Sequence, residues 1–165
     1  NIRRFTAIAL CASEENEMAT IREVAQYILE KQGPMTTMKL QKLVYYAQAW
    51  NIVWLDDVLF PERIEAWDNG PVVRDLWEAT RGTFRVERLN WTGQRSLTEE
   101  QRQTIDTVLE FYGAKDAQWL SDLTHLEKPW SDAYALGRNT IIGPAALSEY
   151  YSTIPAEEDD ATAQA

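Results

Sequence analysis

Residues 36–54 of the chain read TTMKLQKLVYYAQAWNIVW and form its longest strongly apolar segment with a regular spacing. Its apolar residues recur at the three- and four-residue spacing of an α-helix, which predicts a helix from Thr36 or Thr37 to about Trp54. Apolar residues also cover most of the remaining circumference, and the polar residues are few. A helix that is apolar nearly all round is usually a central one with neighbours on several sides. We therefore expect this helix to lie at the core of a helical domain.

The composition limits both the class of the protein and its chemistry. The chain has 165 residues, of which 45% are hydrophobic, with seven Trp and a formal net charge of −10. This is enough for one folded core and is unlike a disordered chain. A single Cys and a single His exclude a disulfide framework and a Cys- or His-rich metal centre. No apolar run is long enough to form a membrane helix, so we expect a cytoplasmic protein with no cofactor, no metal and no membrane contact.

The two ends of the chain differ from its middle. Residues 1–17 hold a short apolar run after two Arg, which has features of a signal peptide but is short for one. Residues 156–165 carry four acidic residues and predict a flexible, solvated tail. We expect one domain at 18–155, preceded by an N-terminal extension of uncertain origin.

Helix-start signals predict further helices around the central one. Thr20 with Glu23, and Thr98 with Gln101, have the spacing of capping boxes. Apolar residues at helical spacing follow both pairs, and Pro144 suits the first turn of a last helix. The fold class is therefore mainly α.

Residues 63–67 alternate between polar and apolar, which predicts a half-buried strand. We expect it to pair with a second short strand near Phe84 and Val86, and we expect Pro71 to open a helix between the two strands. The predicted architecture is a compact helical domain around a central hydrophobic helix, with one small antiparallel β-hairpin.

Two segments suggest chemistry that the rest of the sequence does not support. His125 has Asp122 and Glu127 nearby in sequence, which suggests an acid–base centre, although a histidine that caps a helix end or fills a polar niche explains the pattern better. Residues 81–102 hold five Arg and Trp91, a combination that stacks on single-stranded nucleic acid or serves a protein interface. The acidic balance makes a nucleic-acid partner unlikely. No nucleotide-binding or hydrolase motif occurs in the chain, and we expect a protein that is not an enzyme.

Three stretches in this order resemble one protein family. They are KLQKLVYYAQAW at 39–50, IEAWDNGPVV at 64–73, and LTH at 123–125 with Pro129, Trp130 and Ala133. Together they resemble the Panacea domain of SocA-like antitoxins from bacteria and phages. The resemblance implies a toxin–antitoxin role, including phage or prophage defence, and a cognate protein toxin encoded by an adjacent gene.

The resemblance also singles out residues, without deciding whether they form the scaffold or bind the partner. These residues are Lys39, Gln41, Lys42, Tyr45, Tyr46, Trp67, Gly70, Pro71, Val72, Thr124, His125, Pro129 and Trp130. We expect most of them to define the scaffold, because loops and edges usually carry specificity.

Direct binding of the toxin is the leading hypothesis for the mechanism. Large aromatic and arginine side chains outside the motifs are the candidates for toxin contact, since such residues dominate interface energies. They are Trp54, Trp77, Phe84, Arg85, Arg88 and Trp91. The alternative is a proteolysis adaptor that delivers a bound toxin to a protease, in which case removal of residues 156–165 should impair neutralisation.

Overall fold

A computed structural model describes residues 18–154. In this range the helices are α1 (Ile21–Gln32), α2 (Thr37–Leu55), α3 (Arg74–Ala79), α4 (Glu99–Tyr112), α5 (Ala117–Leu126), α6 (Lys128–Leu136) and α7 (Pro144–Tyr151). The strands are β1 (Met35–Thr36), β2 (Ile64–Trp67), β3 (Gly70–Val73), β4 (Arg85–Val86) and β5 (Thr140–Ile142). The predicted fold, mainly α with small antiparallel β elements, is confirmed. The predicted extension at 1–17 and acidic tail at 156–165 lie outside the described residues.

Helix α2 lies at the centre of the domain, as its apolar circumference predicts. Every residue from Leu40 to Ile52 is buried, including the polar Lys42 and Gln48. Helices α1, α4, α5 and α7 and strand β3 all pack against α2. The Gln48 amide donates to Phe60 O at 2.8 Å and accepts from Leu59 N at 2.6 Å. A buried amide therefore fixes the loop that follows the central helix.

The two predicted capping boxes form differently. Thr98 and Gln101 exchange both hydrogen bonds at the start of α4, as predicted. At α1, Thr20 Oγ1 accepts from Glu23 N at 3.3 Å, but the Glu23 carboxylate does not complete the box. It accepts instead from the backbone N–H groups of residues 96–97 at 2.9 to 3.0 Å. The second half of that prediction is wrong, because a loop distant in sequence supplies the carboxylate with more donors than its own helix start.

Strand β2 is the centre of a three-stranded antiparallel sheet in the order β3-β2-β5. Strands β2 and β3 form a hairpin in which Trp67 lies opposite Gly70, so Asp68 and Asn69 make the turn. Pro71 is part of β3, and the prediction that it opens a helix is wrong. An edge strand accepts proline where the missing N–H would point away from the sheet.

Strand β4 pairs with β1 and not with β2. Met35 lies opposite Val86, and Thr36 lies opposite Arg85. The predicted pairing of residues 63–67 with a strand near Phe84 is therefore wrong. The two-residue turn after β2 lets the adjacent residues 70–73 take that position, since antiparallel strands need only a tight turn between them.

The prediction that β2 is half-buried is also wrong. Glu65 is 4% exposed, although the alternation places it on the solvent side. Arg63 Nε and Arg74 Nε each lie 3.5 Å from Glu65 Oε2, and Trp67 Nε1 donates to Glu65 Oε1 at 3.0 Å. These side chains cover the carboxylate and satisfy it, so the central strand is buried on both faces.

Candidate functional site

The three sequence motifs meet at Gly70, the first residue of β3. Gly70 has a φ of +117°, a backbone conformation that residues with side chains rarely adopt. A Cβ atom at this position would lie 2.7 Å from Lys42 Cε and 2.9 Å from Thr124 Oγ1. One residue from each motif therefore lies at the same place, and only a glycine at position 70 leaves room for the side chains of Lys42 and Thr124.

The polar residues of the first motif connect α2 to its neighbours. Gln41 Nε2 donates to Val73 O at 3.2 Å, and Gln41 Oε1 accepts from Val73 N at 2.9 Å. Lys42 Nζ donates to Pro71 O at 3.3 Å. Lys39 Nζ donates to a backbone carbonyl at the end of α4 at 2.7 Å. Each of these side chains thus bonds to backbone of another element.

The third motif holds the turn between β2 and β3. Trp130 Nε1 donates to Trp67 O at 2.8 Å, and His125 Nε2 lies 3.1 Å from Asp68 O. The His125 and Trp130 rings also meet edge-on, with centroids 4.2 Å apart. Thr124 is fully buried and donates to a carbonyl of its own helix. The motif therefore fixes the backbone of the hairpin tip.

The surroundings of His125 favour the structural interpretation over the acid–base one. The Asp122 carboxylate accepts from Gln118 Nε2 at 2.8 Å, and His125 bonds to a backbone carbonyl. Within residues 18–154 no group of three or more His, Cys, Asp or Glu side chains is placed to hold a metal ion. None of the helices in the described part of the chain is long and apolar enough to cross a membrane.

A buried carboxylate, which the sequence suggested only as a neighbour of His125, lies between α2, α6 and α7. Glu127 is 6% exposed and accepts at Oε1 from Tyr46 OH at 2.7 Å and from Tyr151 OH at 2.8 Å. Tyr45 OH lies 2.9 Å from Tyr151 OH and extends the network. Burial raises the pKa of Glu127, while the two phenol donors counteract that rise. The sequence held one signal for Glu127. It lies two residues before Pro129, which suits the first turn of a helix, and a helix start favours a carboxylate.

Lys42 is a buried charge of the opposite sign. Its side chain is 1% exposed, and the bond to Pro71 O is its one hydrogen bond within residues 18–154. It forms no ion pair with any described residue. Burial lowers the pKa of Lys42 to about 8, so most of the ammonium stays protonated at neutral pH.

An open cleft of about 510 Å³ lies beside Lys42, and we call it the Lys42 cleft. Its wall includes the first turn of α2 and the turn at 68–69. Its lining also includes the side chains of Gln41, Lys42, Trp67, Trp77, Arg138 and Asn139. Residues of the first two motifs thus line a surface cavity as well as connecting the scaffold.

The residues predicted to contact a toxin do not form one surface. Four of them lie on the segment 77–88 and are exposed: Trp77, Phe84, Arg85 and Arg88. Trp91 is half-buried and packs against the core. Trp54 is 47% exposed, but it lies near the C-terminal end of α2, whereas Thr37 N, at the N-terminal end, donates to Phe84 O. At 1.5 Å per residue the two ends are about 25 Å apart.

Comparison with protein families gives a match to the model described as antitoxin SocA-like, Panacea domain, over residues 40–131. No curated protein and no solved structure matches the chain. The matched span covers more than half of the 165 residues and includes Lys42, Gly70 and Thr124, which meet at one point. The chain therefore belongs to the SocA-like antitoxin family that is defined by the Panacea domain.

Proposed function

We propose that this chain is the antitoxin of a toxin–antitoxin pair and neutralises a protein toxin by binding it directly in the cytoplasm, without catalysis. Family membership supports the antitoxin role. The observation that carries direct binding is an exposed surface of aromatic and arginine side chains. We call this surface the Arg–Trp face, and it consists of Trp77, Arg81, Phe84, Arg85 and Arg88.

The composition of the Arg–Trp face is that of an interface centre. Trp and Arg are enriched among the residues that contribute most to protein–protein affinity. Phe84 is 82% exposed and Trp77 is 37% exposed, and the Arg81 guanidinium lies 5.3 Å from the Trp77 ring centroid. Two exposed aromatic side chains on one short segment support a contact surface there.

Backbone contacts hold the Arg–Trp face in place before any partner binds. Strand β4 pairs with β1, and Thr37 N donates to Phe84 O at 3.0 Å. Arg85 Nη2 donates to Pro34 O at 3.3 Å. A surface that is already ordered loses less conformational entropy on association, which favours affinity.

The local charge of the Arg–Trp face differs from that of the whole domain. Residues 18–155 carry fourteen basic and nineteen acidic residues, yet the segment 77–88 has Arg81, Arg85 and Arg88 against two Glu. The overall charge therefore speeds the approach of a basic toxin, whereas the face itself fits a neutral or acidic patch of that toxin.

A growth-rescue experiment tests this proposal. The product of the adjacent gene is expressed alone, then with this chain, and growth and co-purification are followed. We expect growth arrest that is relieved together with formation of a stable complex. Trp77→Ala and Phe84→Ala should each weaken the complex by about tenfold or more. Trp119→Ala is the matched control, because Trp119 is 41% exposed and also carries a cation contact, from Lys115 at 4.8 Å.

Titration separates binding from catalysis. A binding antitoxin protects only up to about one equivalent of toxin, whereas an enzyme protects far below that ratio because it turns over. Protection at a small fraction of an equivalent, or rescue without a complex, would contradict direct neutralisation. Equal losses from Trp77→Ala and Trp119→Ala would contradict the assignment of the Arg–Trp face.

A further inference from the structure

The charge of Lys42 has no compensating charge within the described residues. The acidic residue in the wall of the Lys42 cleft is Asp68, whose Oδ1 already lies 3.0 Å from Arg138 Nε and accepts from Tyr134 OH at 2.6 Å. An ammonium buried without a counter-charge lowers stability, because desolvation is not repaid by an ion pair. A folded protein retains such a residue at a cost, and the cleft offers a place where a partner can supply the missing charge.

From this geometry we infer that the Lys42 cleft receives the carboxylate of one Asp or Glu side chain of the toxin, which pairs with Lys42 Nζ. The inference rests on the proposed function, because it specifies how the toxin is held. The toxin's carboxylate would take one of the ammonium's remaining donor positions, beside the bond to Pro71 O. Buried pairs of this kind fix the register of an interface.

The charge of the cleft favours a single carboxylate over a phosphate ligand. Lys42 and Arg138 stand against Asp68, which leaves a net charge of +1 along the wall. A nucleotide or a phosphate dianion would bring two or more negative charges into this space. Trp67 and Trp77, whose ring centroids lie 5.3 Å apart, add apolar surface for the methylene carbons of an acidic side chain. The N-terminal end of α2 adds partial positive charge.

The position of the cleft connects it to the Arg–Trp face. Trp77 belongs to both, and Thr80 lies between the Lys42 cleft and a second cleft lined by Arg85 and Arg88. A toxin segment that runs across the face can therefore direct one side chain sideways into the Lys42 cleft. A chain terminus is not needed for this arrangement, which is why an internal acidic side chain is assigned.

Lys42→Met is the main test, with purified toxin from the adjacent gene as the probe. Methionine keeps the length of the side chain and removes the buried charge, so the variant should unfold at the same or a higher temperature than the wild type. We expect its affinity for the toxin to fall by about tenfold or more. A wild-type complex together with unchanged affinity of Lys42→Met would overturn this inference and leave the proposed function intact. Failure of the wild type to bind the toxin would instead overturn the proposed function.

A second pair of variants avoids any change in the core. Asn139→Asp places one negative charge at the exposed rim of the cleft, at a φ of +65° that Asn and Asp tolerate. Ala145→Asp is the matched control, because it adds the same charge at an exposed position in the first turn of α7. Asn139→Asp should weaken toxin binding several-fold and Ala145→Asp should not. Equal affinities of these two variants would contradict the inference even if Lys42→Met did not fold.

A double-mutant cycle identifies the partner group. Each Asp and Glu of the toxin is replaced by Ala and measured against wild-type antitoxin and against Lys42→Met. One replacement should weaken binding to the wild type and have no further effect on Lys42→Met. If, at every Asp and Glu of the toxin, the losses of affinity from the toxin replacement and from Lys42→Met simply add, no toxin carboxylate pairs with Lys42.

Discussion

Glu127 and Lys42 are both buried and charged, and the fold treats them in opposite ways. Glu127 receives two phenol hydrogen bonds, from Tyr46 and Tyr151. Lys42 has one hydrogen bond, at 3.3 Å, and is instead surrounded by packed atoms of Gly70 and its neighbours. The Glu127 carboxylate is thus stabilised by its hydrogen-bond donors inside the domain, whereas burial of the Lys42 ammonium is compensated by only one hydrogen bond. A satisfied buried charge indicates a structural role, whereas the charge of Lys42, unpaired within residues 18–154, is the one that the inferred toxin carboxylate would compensate.

The largest effect is expected from Gly70→Ala, which tests whether packing holds Lys42 in position. Alanine would have to adopt a φ of +117° and would place its Cβ 2.7 Å from Lys42 Cε. We expect a loss of about 4 kcal/mol in the free energy of unfolding, from backbone strain and overpacking together. Urea denaturation followed by circular dichroism measures it.

Gly82→Ala is the control for backbone strain without overpacking. Gly82 has a φ of +81°, but a Cβ atom there would have no neighbour within 4 Å. We expect it to lose about 1 kcal/mol. Equal losses at Gly70 and Gly82 would show that the contact with Lys42 contributes nothing.

Glu127→Ala tests the satisfied charge and should have the next largest effect. It removes the acceptor of two buried phenols and leaves a small cavity, so we expect a loss of about 3 kcal/mol in the free energy of unfolding. Glu127→Gln keeps an oxygen acceptor and should lose about 1 kcal/mol. If Glu127→Ala were as stable as the wild type, the tyrosine network would not stabilise the fold.

The pH dependence of the free energy of unfolding tests whether the buried charge of Lys42 is unpaired. Burial lowers the pKa of Lys42 from 10.5 to about 8, so between these values the unfolded chain binds more protons than the folded one. Stability must then rise with pH in this window, and the penalty returns as the pH falls from 10.5 to 8. From neutral pH to about pH 10 we expect the wild type to gain about 2 kcal/mol relative to Lys42→Met. Parallel stability curves for the two proteins would contradict an unpaired Lys42.

The smallest effect is expected from His125→Gln. His125 contributes one hydrogen bond to Asp68 O and one ring contact with Trp130, so its replacement should lower the free energy of unfolding by about 1 kcal/mol. Toxin binding should stay the same once the protein is folded. Loss of neutralisation at unchanged stability would revive the acid–base interpretation of His125.

Much of the helical fold could be predicted, because helix signals are local in sequence. The apolar circumference of α2 and the capping box of Thr98 and Gln101 are complete within a few turns of chain. The pairing of β4 with β1 and the contacts of Glu23 with residues 96–97 depend on partners 50 or more residues away. No local pattern specifies such partners, so the predicted pairing of residues 63–67 with a strand near Phe84 and the complete capping box at Thr20 and Glu23 were wrong.

The same distinction applies to the site. The sequence named Lys42, Gly70 and Thr124 separately, but their meeting point depends on how α2, β3 and α5 pack together. The sequence placed Glu127 only near His125, and its bonds to Tyr46 and Tyr151 were not predicted, since these donors are distant in sequence. Arg138 in the cleft wall lies outside the motifs and outside the span matched by the family.

The order in which a ribosome makes these elements has a consequence for how the domain folds. The family match ends at residue 131, but β5 at 140–142 pairs with the central strand β2, and Tyr151 of α7 completes the bonds to Glu127. A nascent chain that has reached residue 131 still lacks both. We therefore expect its core to close only after Tyr151 has been synthesised, because residues 40–131 alone lack the contacts of β5 and Tyr151.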